Sequence, residues 1–143
     1  MDIFSTVASV AEVDMNRNDL KEIKFDGANV LPYLIGENEG EPERVLFNKS
    51  GNYSFIIKEG WKLQVDLVQN KKWLYNLNED PTEQINLIKS DLKKLNELEK
   101  ILNKKLSEQV KPIWPSLLDW PIFIDKTLDE TVNRNDEYIF WAN

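Results

Sequence analysis

The chain contains no cysteine and no histidine among its 143 residues. Without cysteine there is no disulfide and no thiolate nucleophile. Without either residue there is no Cys/His zinc site and no imidazole general base. The missing cysteine leaves the redox compartment open, because reducing and oxidising environments both accept such a chain. Nowhere does an apolar run approach the roughly 20 residues that span a bilayer. Met1-Asp2-Ile3-Phe4 lacks the basic start and cleavage site of a secretory signal, so a signal in an exported parent would lie upstream. Basic residues are short: 18 against 25 acidic ones give a net charge of −7. That balance argues against nucleic acid, which demands a basic surface, and disfavours a polyanionic partner unless basic residues gather locally. What remains is 41% hydrophobic and 30% charged, an ordinary globular mixture and enough for one domain with a modest core. Chemistry performed by this chain alone would fall to carboxylates, lysines and hydroxyls.

Patterning divides the single domain expected over 1–143 into three stretches: 1–43, 44–110 and 111–143. In the first, Ile3, Phe4, Val7, Val10 and Ala11 recur at helical spacing, predicting a helix over 2–13 with Asp2 as its N-cap. Residues 14–24 read as a polar loop, Asp26-Gly27 as a turn, and 36–42 as an acidic loop. In the second stretch, Val45-Leu46-Phe47 opens a strand, 48–52 is a turn, and 53–57 is a second strand closed by Glu59-Gly60. Trp61, Leu63, Val65 and Leu67 alternate with Lys62, Gln64 and Asp66, predicting a third strand with one buried and one wet face. Residues 73–77 form a fourth, stopped by Asn78-Glu79-Asp80-Pro81. Short connections favour an antiparallel meander. Leu92, Leu95, Leu98, Leu102 and Leu106 then stripe a long helix, capped by Ser90 and running to about Val110, with Lys93–Glu97 and Lys104–Glu108 spaced to pair. The fold class expected is α+β: a four-stranded antiparallel sheet packed against a long C-terminal helix, with a short N-terminal helix and a Trp/Pro-rich tail. No internal repeat or low-complexity linker is present.

Several short stretches, in order, resemble the C-terminal end of the formylglycine-dependent sulfatases, including arylsulfatases and bacterial members of the family. Asp2-Ile3-Phe4-Ser5-Thr6 is similar to a D-x-x-P-T helix start, with Ser5 where proline is usual. Asp26-Gly27 followed by Leu31-Pro32-Tyr33-Leu34 resembles D-G-x-x-L-x-P-x-L. Gly60-Trp61-Lys62-Leu63 resembles G-x-x-K-L. Leu74-Tyr75-Asn76-Leu77, Asp80-Pro81-Thr82-Glu83 and Asn86-Leu87 resemble the run E-L-Y-D-L, D-P-x-E, N-L, with Asn76 replacing the frequent Asp. No single piece is specific; their shared order over residues 2–87 carries the resemblance.

That resemblance implies a sulfuric ester hydrolase of the alkaline-phosphatase-like superfamily as the parent, using calcium and a formylglycine made from a C/S-x-P/A-x-R motif. The chain has no such motif. The resemblance therefore implies a noncatalytic C-terminal subdomain with no catalytic residue, metal ligand or cofactor of its own, supporting the large domain and the rim of its cleft. The parent would be periplasmic or secreted. The implied partner is a sulfatase catalytic domain, covalently joined or separately encoded, with no nucleic acid and no membrane. A homodimer through the apolar face of the first helix, or a fold-back of that helix, is also expected. The alternative is a free-standing interaction or ligand-binding module reusing this fold.

Two groups are candidate substrate contacts. Lys58 and Lys62, with Lys71, Lys72 and Arg44, would form a basic patch on the wet face of the sheet, although exposed strand lysines usually only solvate. Trp114 and Trp120, like Trp141, could stack on sugar rings, but tryptophan beside proline more often pins a tail by burying area. Asp80, Glu83 and Asn86 carry oxygen ligands suited to calcium; a turn leading to a capped helix explains them better.

Overall fold

The computed structural model describes residues 2–14, 17, 20, 22, 23, 25–114, 116–127 and 129–142. Much of the predicted 14–24 loop and Pro115 of the Trp-Pro pair lie outside these residues. The chain divides into two compact units, 1–44 and 45–143.

In the first unit, helix α1 (Asp2–Val10) is tied to the segment after it by its own polar side chains. Ser5 Oγ donates to Gly27 O at 2.9 Å, and the Val30 amide donates to Thr6 Oγ1 at 3.1 Å. Asn29 Nδ2 donates to Ser9 Oγ at 3.0 Å. Asp2 is the first helical residue rather than the expected cap. Its carboxylate accepts from the Ala28 amide at 3.0 Å and pairs with Arg44. These bonds stitch the D-x-x-S-T and D-G stretches together. Phe4 stacks on Phe25, centroids 5.2 Å apart, so part of the helix does fold back on its own unit. Ile3, Val7 and Val10 remain exposed. A one-turn helix, α2 (Leu31–Leu34), carries Pro32 in its first turn, where a missing N–H costs nothing.

The second unit is built on strands β1 (Val45–Ser50), β2 (Tyr53–Lys58), β3 (Trp61–Asp66) and β4 (Lys71–Asn76), an antiparallel meander in the order β1-β2-β3-β4. Glu59 and Gly60 both have positive φ, 52° and 75°, the geometry of a tight hairpin turn matched to strand twist. The first hairpin turn is shorter than expected: β1 continues through Ser50, leaving Gly51-Asn52 to reverse the chain. β3 ends at Asp66, so Leu67 falls in a turn and is exposed instead of continuing the buried stripe.

One face of the sheet carries Ile56, Leu63, Val65 and Leu74. Helix α3 (Leu92–Ser107) covers it with Leu98 and Leu102. The register aligns Ile56 with Leu63 and Leu63 with Leu74, so the apolar side chains form a continuous row under the helix. The cap of α3 is Asp91, whose Oδ1 accepts the Lys94 amide at 2.8 Å. Ser90, the expected cap, instead donates its hydroxyl back to Leu87 O. The helix ends at Ser107, short of Val110. Along it Lys94 pairs with Glu97 at 2.9 Å, one turn apart.

The tail also forms ordered structure. Strands β5 (Asp119–Phe123) and β6 (Tyr138–Ala142) pair as an antiparallel ribbon, Trp120 opposite Trp141. Pro121 sits in β5, the outer strand, where a missing amide does not break a ladder.

Candidate functional site

The second face of the sheet is not wet. Asp66 and Gln64 are buried. Tyr53, Trp73 and Tyr75 pack with Ile139 of β6 into a separate aromatic cluster, with Phe55, Leu77, Ile124 and Trp141 at its margin. The expectation of a solvated face fails because the ribbon lies over it. Polar residues at every second position are equally consistent with solvent and with buried partners.

Asp66 holds the ribbon down. Its carboxylate accepts the Val68 and Gln69 amides at 2.8 and 3.1 Å, the Gln69 side-chain amide at 2.9 Å, and the Phe140 amide of β6 at 2.8 Å. Gln69 Nε2 also donates to Tyr138 O at 2.6 Å. Burial pushes the Asp66 carboxyl up, but its donors from Gln69, Phe140 and Val68 outweigh that and hold it below its ordinary value. Further along, Ser50 Oγ donates to Ala142 O at 3.1 Å, and the Trp73 indole N–H donates to Glu137. Gly51 (φ +57°) makes room for the end of β6: a Cβ there would stand 2.6 Å from Ala142 Cβ.

A polar chain crosses the same face. Tyr53 Oη donates to Gln64 Oε1 at 2.7 Å, Gln64 Nε2 donates to Glu83 at 2.5 Å, and Lys62 Nζ bonds both oxygens of Glu83 at 2.6 and 2.8 Å. Glu83 reaches this point from a positive φ of 59°, an uncommon conformation for a residue with a side chain. Burial first, then the charge of Glu83, raises the Tyr53 phenol well above its usual value. Between β4, the loop at 83–86 and the base of the ribbon lies a small pocket of about 160 Å³, lined by Trp73, Tyr75, Glu83, Gln84, Asp125 and Glu137.

The residues read as candidate substrate contacts are dispersed. Lys58 and Lys72 lie on the helix-covered face, paired with Glu97 at 3.1 Å and Glu99 at 2.6 Å of α3. Bonds from Glu97 and Glu59 raise the Lys58 pKa. Lys62 and Lys71 lie on the opposite face, paired with Glu83 and with Glu137. No shared patch of these four lysines exists, since alternate positions of a strand point to opposite sides. Arg44 belongs to the first unit and pairs with Asp2. Of the tryptophans, Trp141 is half-buried and pins the ribbon, as expected. Trp114 and Trp120 are 84% and 63% exposed, Trp120 in the outer strand. Trp114 lines an open cleft of about 540 Å³ with Ser50, Gly51, Pro112 and Leu117. Asp80 and Asn86 serve local structure. Asp80 Oδ2 accepts the Ile85 amide at 2.7 Å, and Asn86 Oδ1 accepts the amides of Leu74 and Ile88 at 3.0 and 3.1 Å. Among the described residues no group of three or more acidic side chains is placed to hold a metal ion, and no helix is long and apolar enough to cross a membrane.

Sequence signals had pointed to the residues around 74–87 but not to Asp66, Gln69, Asp125 or Glu137. Their partners lie up to 74 positions away, beyond any local pattern.

Comparison with solved structures places this architecture. A 2-O GAG sulfatase superposes with a TM-score of 0.55 over 74% of the chain, at 20% identity. This is a fold found inside sulfatases. A Bacteroides thetaiotaomicron VPI-5482 protein assigned to the sulfatases gives a TM-score of 0.56 at 20% identity over 74% of the chain. A third structure, concerned with the metabolism of multiple glycosaminoglycans by that organism, gives 0.56 at 20% identity over 75%. In each case the match spans 24% of the other protein, so the chain corresponds to about a quarter of these sulfatases. No family model matches the chain, and no curated protein matches it.

Proposed function

We propose that this chain is the noncatalytic C-terminal subdomain of a sulfatase, whose role is to dock on and support a large catalytic domain and to contribute to the rim of its substrate cleft. The observation that carries the reading is the sheet-and-helix fold shared with about a quarter of each matched sulfatase, together with the ordered D-x-x-S-T, D-G, G-W-K-L, L-Y-N-L and D-P-T-E stretches. Those stretches have structural duties here: Asp2, Ser5 and Thr6 bind the 27–30 segment, Gly60 makes the hairpin, and Glu83 and Asn86 brace the sheet. The parent's formylglycine, calcium ligands and acid–base groups would come from the large domain, because this chain has neither the C/S-x-P/A-x-R motif nor histidine. Of the rim candidates, Trp114 and Trp120 are free to face a sugar ring, whereas Lys58 and Lys62 are held by Glu97 and Glu83. Two of the matched structures concern glycosaminoglycans, which makes sulfated glycans the first substrate class to try.

The test has two parts. The chain alone, with and without calcium, should hydrolyse no aryl sulfate; turnover would sink the noncatalytic reading. Mixed with a sulfatase large domain lacking its own C-terminal quarter, it should co-elute as a one-to-one complex and raise that domain's melting temperature. Independent migration from every such domain of its own genome would overturn the docking role.

A further inference from the structure

The small pocket beneath the ribbon gathers acceptors that the rest of the molecule leaves unused. Tyr75 is only 5% exposed, yet its hydroxyl has no hydrogen-bond partner among the described residues, whereas Tyr53 on the same face is bonded to Gln64. The ring is buried, but the hydroxyl reaches solvent where Tyr75 lines the pocket, so its lone pairs stand open to an incoming donor. Tyr75 lines the pocket together with Glu83, Asp125 and Glu137, and burial first, then the charges of Glu83, Glu137, Asp80 and Asp125, raises its phenol above the usual value. Those charges do not cancel. Lys62 pairs with Glu83 at 2.6 Å and Lys71 with Glu137 at 3.8 Å. Asp125 has no ion pair among the described residues. One of its oxygens accepts the Glu137 amide at 2.7 Å, leaving the other available. Gln84 donates its amide to Thr82 O at 2.7 Å, and its carbonyl oxygen is left free.

A donor-rich cation satisfies all three acceptors at once. At about 160 Å³ the pocket is well below the roughly 300–1,000 Å³ of sites for drug-sized ligands, but it suits the head of one long side chain. We propose that this pocket is a socket for a single guanidinium or ammonium group, presented as an arginine or lysine side chain by the docking partner. Arginine fits best: its planar fork carries five donors and no acceptor, complementing Tyr75 Oη, Asp125 and Gln84. The protein origin of the occupant rests on the subdomain reading above; the socket itself does not.

Titration with guanidinium chloride, against sodium chloride at equal ionic strength, tests the socket on this chain alone. The reporter is the NMR signal of the Trp73 indole N–H, which donates to Glu137 at the pocket wall. A saturable shift is expected with guanidinium and not with sodium. Asp125→Asn and Tyr75→Phe should each weaken it by about tenfold, because the first removes the negative charge facing the cation and the second an acceptor oxygen. The other indole signals report that these near-isosteric variants stay folded. A linear response, the same response to sodium, or indifference to both substitutions would overturn the socket. Failure to bind any large domain, with the titration intact, would count against the sulfatase reading and not against the socket.

Discussion

At the scale of single residues, Asp66 does two jobs: one carboxylate closes the β3–β4 turn and fastens a strand 74 positions further along the sequence. In the sequence it reads as the polar half of an alternating strand, and nothing local distinguishes a solvated aspartate from one buried among four donors. Its pKa is depressed in the folded state, so its contribution is complete above the unfolded value of about 4 and is lost as pH falls through the folded value. Asp66→Asn should therefore cost about 2 kcal/mol by urea unfolding at pH 7 and flatten the loss of stability at acid pH. An acid limb identical to that of the parent protein would show that other carboxylates control it. Gly51 makes a second point at this scale. Adding a methyl group would force Ala142 away and strain a positive φ, so Gly51→Ala should speed amide exchange in β6 while leaving β2 and β3 protected.

Elements were legible where local periodicity and packing agree. The leucine stripe of α3 and the alternation of β3 announce the helix-covered core, because each buries one face at the period of its own backbone. Leu98 lies at the centre of that core, fully buried against the sheet, and Leu98→Ala should cost about 3 kcal/mol in a urea titration. Less than 1 kcal/mol would mean that the helix is only loosely seated. Boundaries were less legible: Ser90 and Asp91 are both good caps, and only the bond to the Lys94 amide separates them. The ribbon was read as a pinned tail, not as paired strands. Fourteen residues separate β5 from β6, Pro121 lies within one of them and reads against a strand, and no short turn sets their register. The pocket stayed hidden for the same reason, since Tyr75, Asp125 and Glu137 meet only once the ribbon is laid down.

For the molecule as a whole, the fold matches about a quarter of several sulfatases, and the proposed docking role has a consequence that can be measured. Docking should then change the chain as well as its partner, and a large domain that binds it should slow amide exchange around Asp125 and Tyr75. No change there on complex formation would place the interface elsewhere. The ribbon has a further consequence, one that concerns time. Strands β1–β4 and helix α3 all precede residue 119, so a ribosome delivers the sheet and its helix before the strands that roof the other side. At about 5–20 residues per second, the 35 positions from Ser107 to Ala142 take roughly 2–7 s to be made. Until β6 is laid down, Tyr53, Trp73 and Tyr75 lack the cover that Ile139 and Trp141 give them. The nascent protein thus passes through an adhesive adolescence, when a chaperone or a neighbouring chain can claim the place that β6 will later occupy.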